Sequence, residues 1–201
     1  MKKVNNKEMD IVFLLDRSGS MRGMEEDTIG GFNSYLEKQR EKGVKTKVTT
    51  VLFDDQYEVL TLREDIDKVS NISNKEYYVR GCTALYDAIG KTINTLDKSV
   101  ENNKVLFIIT TDGLENASRE YDRRSVLDLI NKHSNWEFMY IGANIDSYEE
   151  GQRIGIKSSN IANYKKTKTG TRKLFDSLEE ATCMMRDYGA IDLSWKKSLE
   201  K

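Results

Sequence analysis

Asp16, Ser18 and Ser20 set one carboxylate and two hydroxyls at alternate positions of the run Asp16-Arg17-Ser18-Gly19-Ser20. That spacing can aim several oxygens at one point in space while offering a single full charge. A hard dication suits such an arrangement, because Mg2+ takes oxygen ligands in a near-octahedral shell and usually keeps some of its waters. The protein would then fill only part of the shell, leaving coordination for another group. Taken alone, the same residues also read as a turn, since Asp and Ser are common turn formers.

Two further segments carry matching chemistry. Gly81-Cys82-Thr83 stands just before a helical pattern; Gly81 lets the backbone turn sharply, and Thr83 offers a hydroxyl near the positive end of that helix. Asp112 follows a strongly apolar run, Val105 to Ile109. If this run and Ile11 to Leu15 are adjacent central strands, Asp16 and Asp112 lie over one crevice beyond the strand ends, where open α/β sheets bind their ligands. Two carboxylates and three hydroxyls around a dication make a formally neutral, oxygen-rich site. A carboxylate from a partner can take the open position.

Positioning these residues requires a sheet with helices on its faces, and the patterning provides one. Strand and helix patterns alternate along the chain, which argues for an α/β fold with a mostly parallel sheet. Met9 to Asp16 is apolar almost throughout, as expected of a strand buried on both faces. Glu25 to Lys42 is helical, with Ile29, Phe32 and Leu36 on one face. Lys45 to Phe53 is the next strand, and Asp54-Asp55 turns it into Tyr57 to Leu62, an antiparallel partner at the sheet edge. Leu85, Ile89, Ile93 and Leu96 recur at helical spacing before the strand at 105–109. Ser125 to His133 reads as a helix, Trp136 to Ile141 as a strand, Ser147 to Ile154 as a helix and Asn160 to Tyr164 as a last edge strand. The closing helix carries Leu174, Phe175, Leu178, Ala181 and Met185 on one side. Residues 1–190 read as a single domain, with 191–201 as a loosely held tail.

Composition narrows the function. Within 201 residues, Lys+Arg number 32 against Asp+Glu 33, a balance that removes the electrostatic case for a nucleic-acid binder. There is no proline, which argues against rigid linkers. The lysines at the N-terminus precede an apolar run that is short and ends in an aspartate, so neither a signal peptide nor a membrane span is expected. The two cysteines, Cys82 and Cys183, form no metal-binding pair by spacing and read as free thiols of a reducing cytosol.

Asp-x-Ser-x-Ser at Asp16, Ser18 and Ser20, Gly-x-Thr at Thr83 and Thr-Asp-Gly at Asp112 together resemble the von Willebrand factor A domain and its metal-ion-dependent adhesion site. The resemblance covers nearly the whole chain. It implies a Rossmann-like three-layer α/β/α fold around a mostly parallel six-stranded sheet with one antiparallel edge strand. It also implies that Ser18, Ser20 and Thr83 bind the metal directly, and that Asp16 and Asp112 do so directly or through water. The expected ion is Mg2+ or Mn2+, its shell completed by a Glu or Asp of a protein partner. Arg17 and Met21 resemble the bacterial intracellular branch, which implies a cytoplasmic adaptor working with a ring-forming ATPase or a stress-response protein, without nucleic acid or membrane.

Other residues have duller readings beside sharper ones. Glu25, Glu26 and Asp27 favour a helix N-terminus, the alternative being a second cation site on the rim. Glu115 and Asn116 either face a partner or begin a loop. Asp146 and Glu149 are spaced as a capping box, while Asn144 is a candidate to face the crevice. Lys165, Lys166 and Lys168 read as a solvated loop, the alternative being an anion held at a helix start. Cys82 reads as a small packing residue, Phe175 and Tyr188 as packing residues, and the single histidine, His133, as the polar end of a helix. No P-loop, nucleophile elbow or zinc-protease helix is present. A non-enzymatic binding module is therefore expected, the competing reading being a metal-dependent phosphoesterase.

Overall fold

The computed structural model describes residues 8–100 and 103–199. The strands are β1 (Met9–Asp16), β2 (Thr46–Phe53), β3 (Tyr57–Asp65), β4 (Lys104–Thr111), β5 (Glu137–Ala143) and β6 (Ile161–Tyr164). The helices are α1 (Glu25–Glu41), α2 (Leu85–Leu96), α3 (Arg123–Lys132), α4 (Ser147–Arg153) and α5 (Lys168–Tyr188). Among the described residues the strands form one six-stranded sheet in the order β3-β2-β1-β4-β5-β6. All neighbours pair in parallel except β2 and β3, which are antiparallel. The mostly parallel sheet with one antiparallel edge strand is the one expected. β3 runs on to Asp65, past the expected end at Leu62, through a register shift against β2 between Val48 and Val51.

Alternation along the central strands builds the layers, because successive side chains point to opposite faces. Ile11, Phe13 and Leu15 of β1 join Phe32, Leu36, Leu174 and Leu178 in one core, on the side of α1 and α5. Val12 and Leu14 join Ile89, Ile93, Val126 and Ile130 in the other, on the side of α2 and α3. β1 and β4 are therefore buried on both faces, and their apolar runs follow from that. Because β2 leaves β1 to one side and β4 lies on the other, the strand order reverses between β1 and β4. Asp16 ends one of these strands and Asp112 directly follows the other.

Residues 191–199, in the stretch expected to be a loose tail, are instead packed onto the body of the domain. Trp195 is fully buried in the α5-side core, and its indole N–H donates to the Ser159 carbonyl at 2.9 Å. Lys196 Nζ donates to the Ser158 and Ile161 carbonyls at 2.9 and 2.8 Å. Leu199 joins Trp195 in that core and Ile191 packs against it, so three apolar side chains spaced through a largely polar stretch hold the segment down.

Candidate metal centre

The loop leaving β1 folds back on its own aspartate. Asp16 is buried; its Oδ1 accepts the Ser18 backbone N–H at 2.6 Å, and its Oδ2 accepts the Thr111 hydroxyl at 2.5 Å. Burial raises the Asp16 carboxyl to about 6, against the bonds from Thr111 and Ser18 that lower it, and the nearby Asp112 charge adds to the rise. Ser18 Oγ lies 2.9 Å from Ser20 Oγ, whose hydroxyl in turn donates to Asp112 Oδ1 at 2.5 Å. Thr83 joins them from the third loop: a Cβ on Gly113 would sit 2.6 Å from Thr83 Oγ1 and 3.2 Å from Ser20 Oγ. The structure thus gathers Asp16, Ser18, Ser20, Thr83 and Asp112 at the β1–β4 switch point.

Main-chain bonds and buried charges hold the three loops in register. Gly19 N–H donates to the Gly81 carbonyl at 3.1 Å, and Arg80 N–H to the Arg17 carbonyl at 2.9 Å. Gly81 itself has a φ of +65°, and a Cβ there would collide with the Asp55 carboxylate. Arg17, central in the motif, turns away from the oxygens and is wholly buried. Its Nε pairs with Asp54 Oδ2 at 3.1 Å, an oxygen that also accepts Arg80 Nε at 2.7 Å. Tyr77 is buried beneath, its hydroxyl donating to the Asp16 carbonyl at 2.5 Å.

Glu115 and Asn116 prove to be fasteners between loops. Asn116 Oδ1 accepts the Thr83 N–H at 2.9 Å, and the Thr83 carbonyl accepts the Asn116 N–H at 3.0 Å. Glu115 accepts the Tyr86 N–H in the first turn of α2 at 2.9 Å, as well as the N–H groups of Ala117 and Ser118. Asp87 secures the next stretch by accepting the N–H groups of Arg119, Glu120 and Tyr121 at 2.8 to 3.0 Å.

The donor set fits a hard dication. Among the described residues no group of three or more His, Cys, Asp or Glu side chains could hold a metal. A cation here would therefore rely on hydroxyls beside two carboxylates, the oxygen-only chemistry that Mg2+ and Mn2+ accept. Glycine at 113 leaves open the space between Thr83 and Ser20 that a side chain would fill.

Lys166, between β6 and α5, is the residue whose place the sequence hid. Read as part of a solvated loop, it instead sets Nζ 2.8 Å from Asp112 Oδ2 and donates to the Ser20 carbonyl. Cys82 also departs from its packing role and is exposed. Glu25, Glu26 and Asp27 occupy the first turn of α1, where Glu25 accepts the Gly23 N–H at 2.6 Å. Asp146 caps α4 by accepting the Glu149 N–H at 3.0 Å, while the Glu149 carboxylate pairs with Arg153. Asn144 is exposed, with a φ of +57°. Phe175 is buried and Tyr188 exposed. His133 ends α3, its ring nitrogens 2.8 Å from the Leu129 carbonyl and 2.7 Å from Asp97.

Comparison with known proteins bears on the family and the fold. The model of the von Willebrand factor type A domain matches residues 10–179. No curated protein sequence matches the chain. Among solved structures, the pilus adhesin SpaC from Lactobacillus rhamnosus GG in its open conformation superposes with a TM-score of 0.73 at 16% identity, over 92% of this chain and 31% of its own. The PilB minor pilin from Streptococcus sanguinis gives 0.67 at 12% identity, over 90% of this chain and 63% of its own. Proximal thread matrix protein 1 from the mussel byssus, with a zinc-occupied MIDAS motif, gives 0.61 at 18% identity, over 88% and 46%. The chain thus spans less than two thirds of the length of these structures, and at such identities the likeness is one of fold.

Proposed function

The chain belongs to the von Willebrand factor type A domain family, and from that premise we propose that it is a metal-dependent protein-binding module. Asp16, Ser18, Ser20, Thr83 and Asp112 would hold a dication, directly or through water, and an acidic residue of a partner protein would complete its shell. The observation carrying this reading is the convergence of two carboxylates and three hydroxyls at the β1–β4 switch point. When bound, the metal supplies an electrophilic position that a carboxylate can fill. The oxygen-only donor set favours Mg2+ or Mn2+ here, although the mussel protein's site holds zinc.

Binding fits the site better than catalysis. Ser18 and Ser20 would need a base to act as nucleophiles, and the single histidine is bonded to Leu129 and Asp97 at the end of α3. Arg17 is committed to Asp54 rather than to the open face. A phosphoesterase would show metal-dependent turnover of generic phosphoesters that Asp112→Ala removes; a wild type with no turnover above that of the variant would support the binding reading.

We place the module in a bacterial cytoplasm as an adaptor for a ring-forming ATPase or a stress-response protein. Neither cysteine is in a disulfide, and no helix among the described residues is long and apolar enough to cross a membrane; both fit that setting. A pull-down from lysate in Mg2+ should give a specific band that disappears with chelator and with Asp112→Ala. A band indifferent to both treatments would overturn the reading.

A further inference from the structure

Lys166 touches the metal centre without filling it. Asp112 divides its carboxylate between two directions: Oδ1 accepts the Ser20 hydroxyl, within the oxygen cluster, and Oδ2 lies 2.8 Å from Lys166 Nζ. The lysine therefore flanks the cluster through the carboxylate oxygen turned away from Ser20. Its second contact is the Ser20 carbonyl, a main-chain atom. An ammonium has three N–H donors, and these contacts use two of them. The Lys166 side chain keeps 21% of its surface exposed, against 2% for Asp112. The tether is short and fixed at its far end, where Thr167 caps α5 by accepting the Gly170 N–H at 3.1 Å.

Charge gives this placement a consequence. A dication held by Asp16 and Asp112 is formally neutralised by them, so on its own the loaded centre attracts an anion only through the metal's open position. With Lys166 beside Asp112, the loaded centre carries one net positive charge, which a single incoming carboxylate cancels. We propose that Lys166 is a specificity-determining residue of the site: its ammonium takes one oxygen of the partner's carboxylate while the metal takes the other. This rests on the metal-dependent reading above. It distinguishes acidic side chains from neutral oxygen ligands such as amides, which could reach the metal but would gain nothing from the lysine.

The test separates metal affinity from carboxylate affinity. Wild type, Lys166→Gln, Lys166→Arg and Lys165→Gln, each as the 201-residue chain, are loaded with Mn2+, and water-proton relaxation is followed as a short Glu-containing peptide displaces water from the ion. A matched Gln peptide is the control. Lys166→Gln should bind Mn2+ at least as tightly as wild type, because a neighbouring positive charge is gone, yet bind the Glu peptide about tenfold or more weakly, the scale of a lost charge-assisted hydrogen bond. Lys166→Arg should recover much of the loss, and Lys165→Gln, which removes the same charge one residue away, should behave as wild type. Equal or tighter Glu-peptide binding by Lys166→Gln would overturn the proposal and make the lysine a guard of the empty centre. Failure of wild type to take up Mn2+, or of the Glu peptide to displace water where the Gln peptide also fails, would instead overturn the underlying metal-dependent reading, and this inference with it.

Discussion

The Thr111 hydroxyl donates to Asp16 Oδ2 at 2.5 Å across the seam between the two central strands. The same Oγ accepts the Gly113 N–H at 3.1 Å, so one side chain orients both the β1 carboxylate and the turn that follows Asp112. Outer partners of this kind fix the direction in which a metal ligand points. The geometry of the centre therefore depends on a residue that need not touch the metal.

Thr111→Val should preserve the fold and weaken Mn2+ binding by about 10- to 100-fold, the usual range for removing such an outer partner. Calorimetric titration of the two proteins checks this. Unchanged affinity would mean that the Ser18 N–H alone suffices to orient Asp16.

Gly113→Ala should act by filling space, because the new Cβ would lie 2.6 Å from Thr83 Oγ1 and 3.2 Å from Ser20 Oγ. In wild type, metal at about one hundred times its Kd stabilises by about 2.7 kcal/mol. Thermal melts with and without Mg2+ should show little of that rise in the variant. A full rise would show that Thr83 and the metal lie elsewhere than we infer.

Asp54→Ala should be costly whether or not metal is present. It leaves the wholly buried Arg17 without its buried carboxylate partner, the half-exposed Glu58 being the other carboxylate paired with it. Removing one partner of a buried pair costs about 3–5 kcal/mol, to be read from urea unfolding. A loss below about 1 kcal/mol would place this pair with ordinary surface bridges.

Asp87 provides a pH signature. Burial raises its pKa, but the backbone N–H groups of Arg119, Tyr121 and Glu120 outweigh burial and hold it below the ordinary carboxylate value. A carboxylate whose folded pKa is depressed stabilises above its unfolded pKa, and that stability is lost as pH falls through the folded pKa. Asp87→Asn should therefore be less stable than wild type at neutral pH, and the gap should narrow in acid below the carboxylate range. Unfolding curves at the two pH values check it; a gap that stays constant would assign the loss to packing instead.

The parts of the molecule legible in the sequence are those set by local pattern. The unbroken apolar runs of β1 and β4 mark strands buried on both faces, and each delivers an aspartate to the same end of the sheet. What escaped is fixed only by tertiary approach. Arg17 sits between motif residues in a loop, where an arginine is ordinarily solvated, yet Asp54 and Glu58 draw it inside. Lys166 stands 54 residues beyond Asp112 in a polar stretch, and only the parallel addition of β6 beyond β5 brings its loop over the centre. Tyr77 lies outside any periodic element, so nothing local marks it as the buried support of the Asp16 carbonyl. Thr111 was visible as a hydroxyl beside Asp112, and its position at the end of a buried strand was the available signal.

Titration of Mn2+ into the wild type, Ser20→Ala and Asp112→Ala, each verified as folded by circular dichroism, tests the central claim most directly. The account predicts one saturable site per wild-type chain that either substitution removes or greatly weakens. Absence of a saturable site in the wild type, or equal binding by all three proteins, would contradict it.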